Sequence, residues 1–352
     1  MTMNGASEML LCTSIPPRFG GDDEARQLSR AGLTIADAIA SFEAAGFRVV
    51  SVNREGEAAG IRGFPTVEIR EVPPGGLFPN KYGPNFGQIL AQFGEEPGAV
   101  VNADIYMVKS DIADVLATRP GTVLIARRLD VATAATGVVG TYNRGIDGIF
   151  FAGGALAELA ADPDVGAFQM GAPYWDILLP TVASLHHPVE FIAAPFLLHE
   201  VHPARWNSTD YKMLRERAVN VMVAHARRHA ATRPRAAAFL AGLEGFLGGP
   251  FEPLTEKKIK DSAVFMNLWL AKIEQTPSQM VAVDYNDPTI NRFISQLFSH
   301  TAEALSIAKW LDAREDDGQQ SLFAKVHRFI KLILRTRRAQ KKVERVRKVF
   351  PS

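Results

Sequence analysis

Short apolar runs alternate with helix-compatible stretches through the first two hundred residues. Met9-Leu10-Leu11-Cys12-Thr13-Ser14 predicts a buried strand. A helix is predicted over 34–45, where Thr34 and Asp37 have capping spacing, and Gly46 ends it. Arg48–Asn53 predicts the next strand and Thr66–Arg70 a third, and Pro73-Pro74-Gly75-Gly76 marks a loop. Asn85 with Gln88 is placed to cap a helix at 86–93, and Ala99–Asp104 predicts a strand that ends in polar residues. Thr122–Ala126, Gly148–Phe151 and Val189–Ala193 are further strand candidates. Such alternation predicts an α/β fold with a mostly parallel sheet flanked by helices. Ligands of such sheets sit at the carboxyl ends of the strands, which directs attention to Ser14–Arg18, Asn53–Glu57 and Asn102–Tyr106.

Past residue 208 strand signals nearly vanish, and helical patterns run through 209–231, 235–247, 254–274, 288–312 and 320–349. Gly248-Gly249-Pro250 and Thr276-Pro277-Ser278 separate them. The expected organisation is an α/β unit over 8–210, a helical region over 211–320 and a final helix over 321–352.

Composition narrows the class. The 352 residues are 47% hydrophobic and 22% charged, which excludes a mainly disordered chain. Cys12 is the single cysteine, so neither an intrachain disulfide nor a multi-cysteine zinc site can form. It is expected to be a small buried hydrophobe. Met9–Ser14 is shorter than a signal-peptide core and Pro16-Pro17 follows it at once. No stretch reaches the ~18 apolar residues of a membrane span. The expectation is a soluble cytoplasmic protein.

The net charge of +1 conceals an asymmetry. Residues 321–352 hold eleven Lys and Arg against the single acid Glu344, a net +10, so the rest of the chain carries −9. Phe323, Val326, Ile330, Ile333 and Leu334 recur at three- and four-residue steps within it. A basic amphipathic helix of this kind suits the anionic inner face of a membrane. Packing on the protein body or on a second copy is the competing role. Nucleic acid is disfavoured by the acidic body and the lack of a nucleic-acid-binding motif.

Among chemical motifs, Val100-Val101-Asn102-Ala103-Asp104-Ile105-Tyr106 is the most informative. A hydrophobic strand delivers Asp104 at its carboxyl end, where a carboxylate can hold a divalent cation that bridges a diphosphate. Asn102 points to the same side of an extended chain. A strand followed by an Asx turn would give the same pattern. No Gly-x-Ser-x-Gly elbow, no Gly-x-x-x-x-Gly-Lys loop and no Gly-x-Gly-x-x-Gly after the first strand is present. These absences weigh against an α/β-hydrolase, a P-loop NTPase and a Rossmann dehydrogenase.

The order strand, helix, strand, short helix, then strand with Asn102-Ala103-Asp104 resembles the nucleotide-sugar half of the GT-A glycosyltransferases over residues 8–210. In that superfamily a short acidic signature after a hydrophobic strand binds metal and nucleotide sugar, and Asn102-Ala103-Asp104 looks like a variant with its first Asp replaced. Thr13-Ser14-Ile15-Pro16-Pro17-Arg18 resembles the first strand and its nucleotide-contacting turn. Asn53, with Glu55 and Glu57 beyond it, matches where base and ribose are held.

The resemblance implies further roles. Asp147, in Gly145-Ile146-Asp147-Gly148, would line the acceptor and donor-sugar side. Asp176, expected at a helix N-cap, would be the general base, with Trp175 stacking on a sugar face. His199 or His202 would complete the metal site, and Arg205 would meet a phosphate. Arg18 and Lys81 would neutralise the diphosphate. His186-His187, before Pro188, is expected to be a turn.

The expected activity is transfer of a sugar from a nucleoside-diphosphate donor to a glycan or lipid-linked acceptor. It would be inverting and assisted by Mn or Mg, and would belong to polysaccharide biosynthesis. Two alternatives stand. A sugar-phosphate nucleotidyltransferase would use a related sheet, although Asp22-Asp23-Glu24 after Gly20-Gly21 disfavours it. A non-catalytic, surface-associated assembly protein would work through the basic helix.

Overall fold

The computed structural model describes residues 9–17, 35–61, 63–74, 83–131, 140–141, 146–152, 154, 156–192, 196–200, 207–274 and 281. The expected helices at 288–312 and 320–349 lie outside these, as do Thr34, Arg18, Lys81, His202 and Arg205.

The chain opens with β1 (Met9–Thr13), α1 (Ile35–Ala44), β2 (Phe47–Arg54) and β3 (Glu68–Val72). Next come α2 (Phe86–Leu90), β4 (Gly98–Val101), β5 (Ile105–Met107) and α3 (Ile112–Ala117). β6 (Val123–Ala126), β7 (Arg128–Val131), β8 (Gly140–Thr141) and β9 (Gly148–Phe151) follow. The short helices α4 (Ala157–Ala160) and α5 (Pro163–Gly166) lead into α6 (Trp175–His186), β10 (Val189–Phe191) and β11 (Leu197–Glu200). The described chain closes with α7 (Ser208–His229), α8 (Pro234–Leu247) and α9 (Glu256–Glu274).

Seven strands form one sheet in the order β10-β6-β9-β4-β1-β2-β3, parallel throughout except for β9, which is antiparallel to both its neighbours. The expected mostly parallel α/β sheet is thus present. Alternation along each strand divides its side chains between two cores, because successive residues point to opposite faces. Leu10 and Cys12 of β1, Val100 of β4 and Ile149 of β9 enter one core; Leu11, Ala99, Val101 and Phe150 enter the other. Helices α2 and α6–α9 cover the first face, so the helical region past residue 207 shares a continuous core with the sheet. Helices α1 and α3 cover the second. Among the described residues no helix is long and apolar enough to cross a membrane.

Local chemistry accounts for several boundaries. Asn85 accepts from the Gln88 N–H at 3.0 Å while the Gln88 side chain accepts from the Asn85 N–H at 3.0 Å, completing the expected capping box of α2. Cys12 is fully buried, and burial pushes its thiol up to about 12. Gly98 lies where a Cβ would overlap both the Leu10 carbonyl oxygen and the Phe93 ring. Backbone cannot retreat as a flexible side chain can. Gly98→Ala is therefore expected to lower stability by about 1–3 kcal/mol, read as a lower midpoint in urea unfolding with an unchanged slope.

A second sheet escaped the hydrophobic pattern. Its order is β5-β11-β7-β8, with β11 antiparallel to β5 and parallel to β7. β5 and β11 are three and four residues long. Segments that short do not display a period. His199 lies on β11.

Candidate functional site

The strand order turns at β1 and β4: β2 and β3 extend to one side and β9, β6 and β10 to the other. Connections leaving such a pair diverge and open a crevice at the carboxyl ends. At this edge lie the residues after β1 and β4. The antiparallel β9 begins here too, because its Gly148 pairs with Val101 and Ala126.

The turn after β1 is shaped from β2. The Ile15 N–H donates to Ser51 Oγ at 2.9 Å, and Asn53 Nδ2 donates to the Ile15 carbonyl at 2.9 Å. Ser51 Oγ in turn donates to Asn53 Oδ1 at 2.7 Å, and Glu57 Oε2 accepts from Asn53 Nδ2 at 3.2 Å and from the Arg54 N–H at 2.9 Å. Asn53 is fully buried with both ends of its amide engaged. Its amide, expected to meet a base or ribose, is engaged in holding the turn after β1 in shape. Thr13 is also fully buried, whereas Ser14 is partly open, so Ser14 is the hydroxyl with access.

Asn102 and Asp147 meet across the β4–β9 pair. Asn102 Nδ2 lies 3.4 Å from Asp147 Oδ1, to which Arg128 Nη1 donates at 2.8 Å. Asp147 is only 1% exposed, so its carboxylate is held inside the protein and is not open to a sugar hydroxyl as expected. Arg128 is the residue that the sequence reading missed. The Arg127-Arg128 pair just past an apolar strand was its only signal.

Asp104 and His199 come from different sheet elements and are brought together by register. Asp104 sits in the turn between β4 and β5, and the next residue, Ile105, pairs with His199 of β11. His199 Nε2 lies 3.6 Å from Asp104 Oδ2, with the Asp104 side chain 42% exposed and that of His199 7% exposed. A carboxylate thus faces outward with an imidazole backing it.

Helix α6 brings Asp176 to the same edge. Proline lacks an N–H, so Pro180 releases the carbonyl four residues before it, that of Asp176. The Ile146 N–H donates to that carbonyl at 2.9 Å, tying the start of α6 to the residue before Asp147. Asp176 is not the N-cap. Tyr174 takes that place in a left-handed conformation, φ 75°, and Asp176 falls in the first turn, where the helix dipole still favours a carboxylate. A non-glycine residue held at positive φ is strained, and such strain tends to gather at working sites. Burial also pushes the Tyr174 phenol up. Trp175 is 4% exposed and packs on Phe86 with ring centroids 5.8 Å apart, so it belongs to the core and not to a sugar-stacking surface.

Asp104 with His199, Asn102 with Asp147, and the turn carrying Ser14 thus lie at the carboxyl ends of neighbouring strands, at the point where the strand order turns. No protein-family model matches the chain, and no curated sequence matches it.

Proposed function

We propose that the chain is a glycosyltransferase that moves a sugar from a nucleoside-diphosphate donor to a glycan or lipid-linked acceptor, with inversion and with a divalent cation. The observation that carries this reading is the meeting of Asp104 and His199 at the switch point of the sheet. Their donor set, one outward carboxylate and one imidazole, fits Mn better than Mg, since imidazole nitrogen is a poor partner for the harder ion. When bound, such a cation neutralises charge on the departing diphosphate.

The chain's own residues supply the rest. Ser14 and the turn held by Ser51, Asn53 and Glu57 receive the nucleoside. Asp104 and His199 hold the cation, with Asn102 beside them. Asp176 takes the proton of the acceptor hydroxyl as its oxygen bonds to the anomeric carbon and the bond to the diphosphate oxygen breaks. In the same reading the basic segment 321–352 meets the anionic inner face of the membrane, where a lipid-linked acceptor would lie.

Incubation with uridine and guanosine diphosphate sugars in manganese, with release of the nucleoside diphosphate followed, tests the reading. Manganese-dependent release with one donor is expected. Release of pyrophosphate from a nucleoside triphosphate and a sugar phosphate would replace the reading with nucleotidyl transfer. Absence of both reactions would favour an assembly role.

A further inference from the structure

We propose that His186, His225 and His229 form a second metal site, built for a zinc-class divalent ion and separate from the crevice at Asp104. His225 and His229 are four residues apart on α7 and so share a face of that helix. His186 is the last residue of α6, which packs against α7. The three residues each offer a ring nitrogen within 4.8 Å of the others, and their ring centroids lie 4.6–4.9 Å apart.

Proton bookkeeping makes this arrangement more than a stack of rings. Asp162 Oδ2 lies 2.7 Å from His225 Nδ1, and the same oxygen accepts from Arg228 Nη1 at 2.6 Å. A carboxylate only accepts, so the proton of neutral His225 sits on Nδ1 and its Nε2 is bare. That bare nitrogen lies 2.7 Å from His186 Nε2. On the other side of the His186 ring, Glu158 Oε1 lies 2.9 Å from Nδ1, off the line of a hydrogen bond but close enough to favour an N–H there over a lone pair. With its one proton on Nε2, neutral His186 donates to His225; with the proton on Nδ1, beside Glu158, both Nε2 atoms present lone pairs to each other, the state in which they can share a cation.

A cation held by the two Nε2 atoms takes up both lone pairs without charging either ring. Carboxylates set behind the coordinating imidazoles are the usual second layer of zinc sites, and Asp162 and Glu158 occupy those positions. Asp162 is itself fixed by the Asp164 and Val165 N–H groups at 2.9 and 3.0 Å. Three imidazoles leave a fourth position on zinc for water or another donor. The spacing His225-x-x-x-His229 on a predicted helix was visible in the sequence; its pairing with His186 was not, because that requires α6 to lie beside α7.

The test uses the full, tag-free chain, stripped of metal and titrated with Co²⁺, then Zn²⁺. One equivalent of cobalt is expected to give the intense visible bands of a four-coordinate site, and zinc to displace it and raise the melting temperature. His229→Ala, at the more open ligand, should abolish the bands and the shift while keeping the native circular dichroism. Glu158→Gln should weaken zinc affinity about 10- to 100-fold. His199→Ala should leave the bands in place, which separates this site from the crevice. Absence of bands and shift in the unaltered chain, or their survival in His229→Ala, would overturn the proposal.

Discussion

Asp104→Ala is expected to lower manganese-dependent release of nucleoside diphosphate by about 10³-fold or more, because a catalytic cation contributes several kcal/mol of charge stabilisation. The same change should barely move thermal unfolding. The Asp104 side chain is 42% exposed, and an ion pair at that exposure is worth about 0–1 kcal/mol at most. No core atom is removed, and the backbone turn between β4 and β5 accepts Ala. Activity loss without stability loss is what separates a functional carboxylate from one that merely caps a turn. A fall in both together would assign Asp104 to the scaffold. His199→Ala offers a companion test: its loss should weaken manganese activation, though burial of the imidazole adds a stability cost that Asp104 lacks.

Asp176→Asn is expected to reduce kcat by about 10²–10⁴-fold, the usual contribution of a positioned general base. Asn keeps the shape of the side chain and the first-turn position in α6. The carbonyl that accepts from Ile146 belongs to the backbone and is untouched. Nucleotide binding should therefore persist, with KM for the donor little changed, since a group acting only in the transition state leaves ground-state binding alone. A raised KM at unchanged kcat would assign Asp176 to substrate binding.

The hydrophobic pattern anticipated the main sheet well because β1, β4, β6 and β9 are short, nearly unbroken apolar runs. Gly148–Phe151 was located to the residue, and the Asn85–Gln88 box was legible because its chemistry is local. The small sheet was not legible. β5 and β11 hold too few residues to show a period, and they exist only because tertiary pairing makes them. The site divides along the same line. Asp104 was legible from residue type and its position at a strand end, and His199, alongside His202, through the family resemblance, yet only the register of β5 with β11 makes Asp104 and His199 neighbours. Trp175, Asn53 and Asp147 are enclosed by partners that no local pattern announces, because residue type shows chemical capacity and only the fold shows what a side chain touches. Each turned inward, to Phe86, to Ile15 and to Arg128 respectively. The histidine cluster failed to appear because its members lie on two helices whose packing no local pattern encodes.

The most direct measurement compares the melting temperature of the unaltered chain and of Asp104→Ala across a panel of nucleoside diphosphates, each with and without manganese. Cation-bridged diphosphate binding at Asp104 predicts a rise for one nucleotide that requires manganese and vanishes in the variant. An equal rise in both proteins, or no rise with any nucleotide, would contradict it.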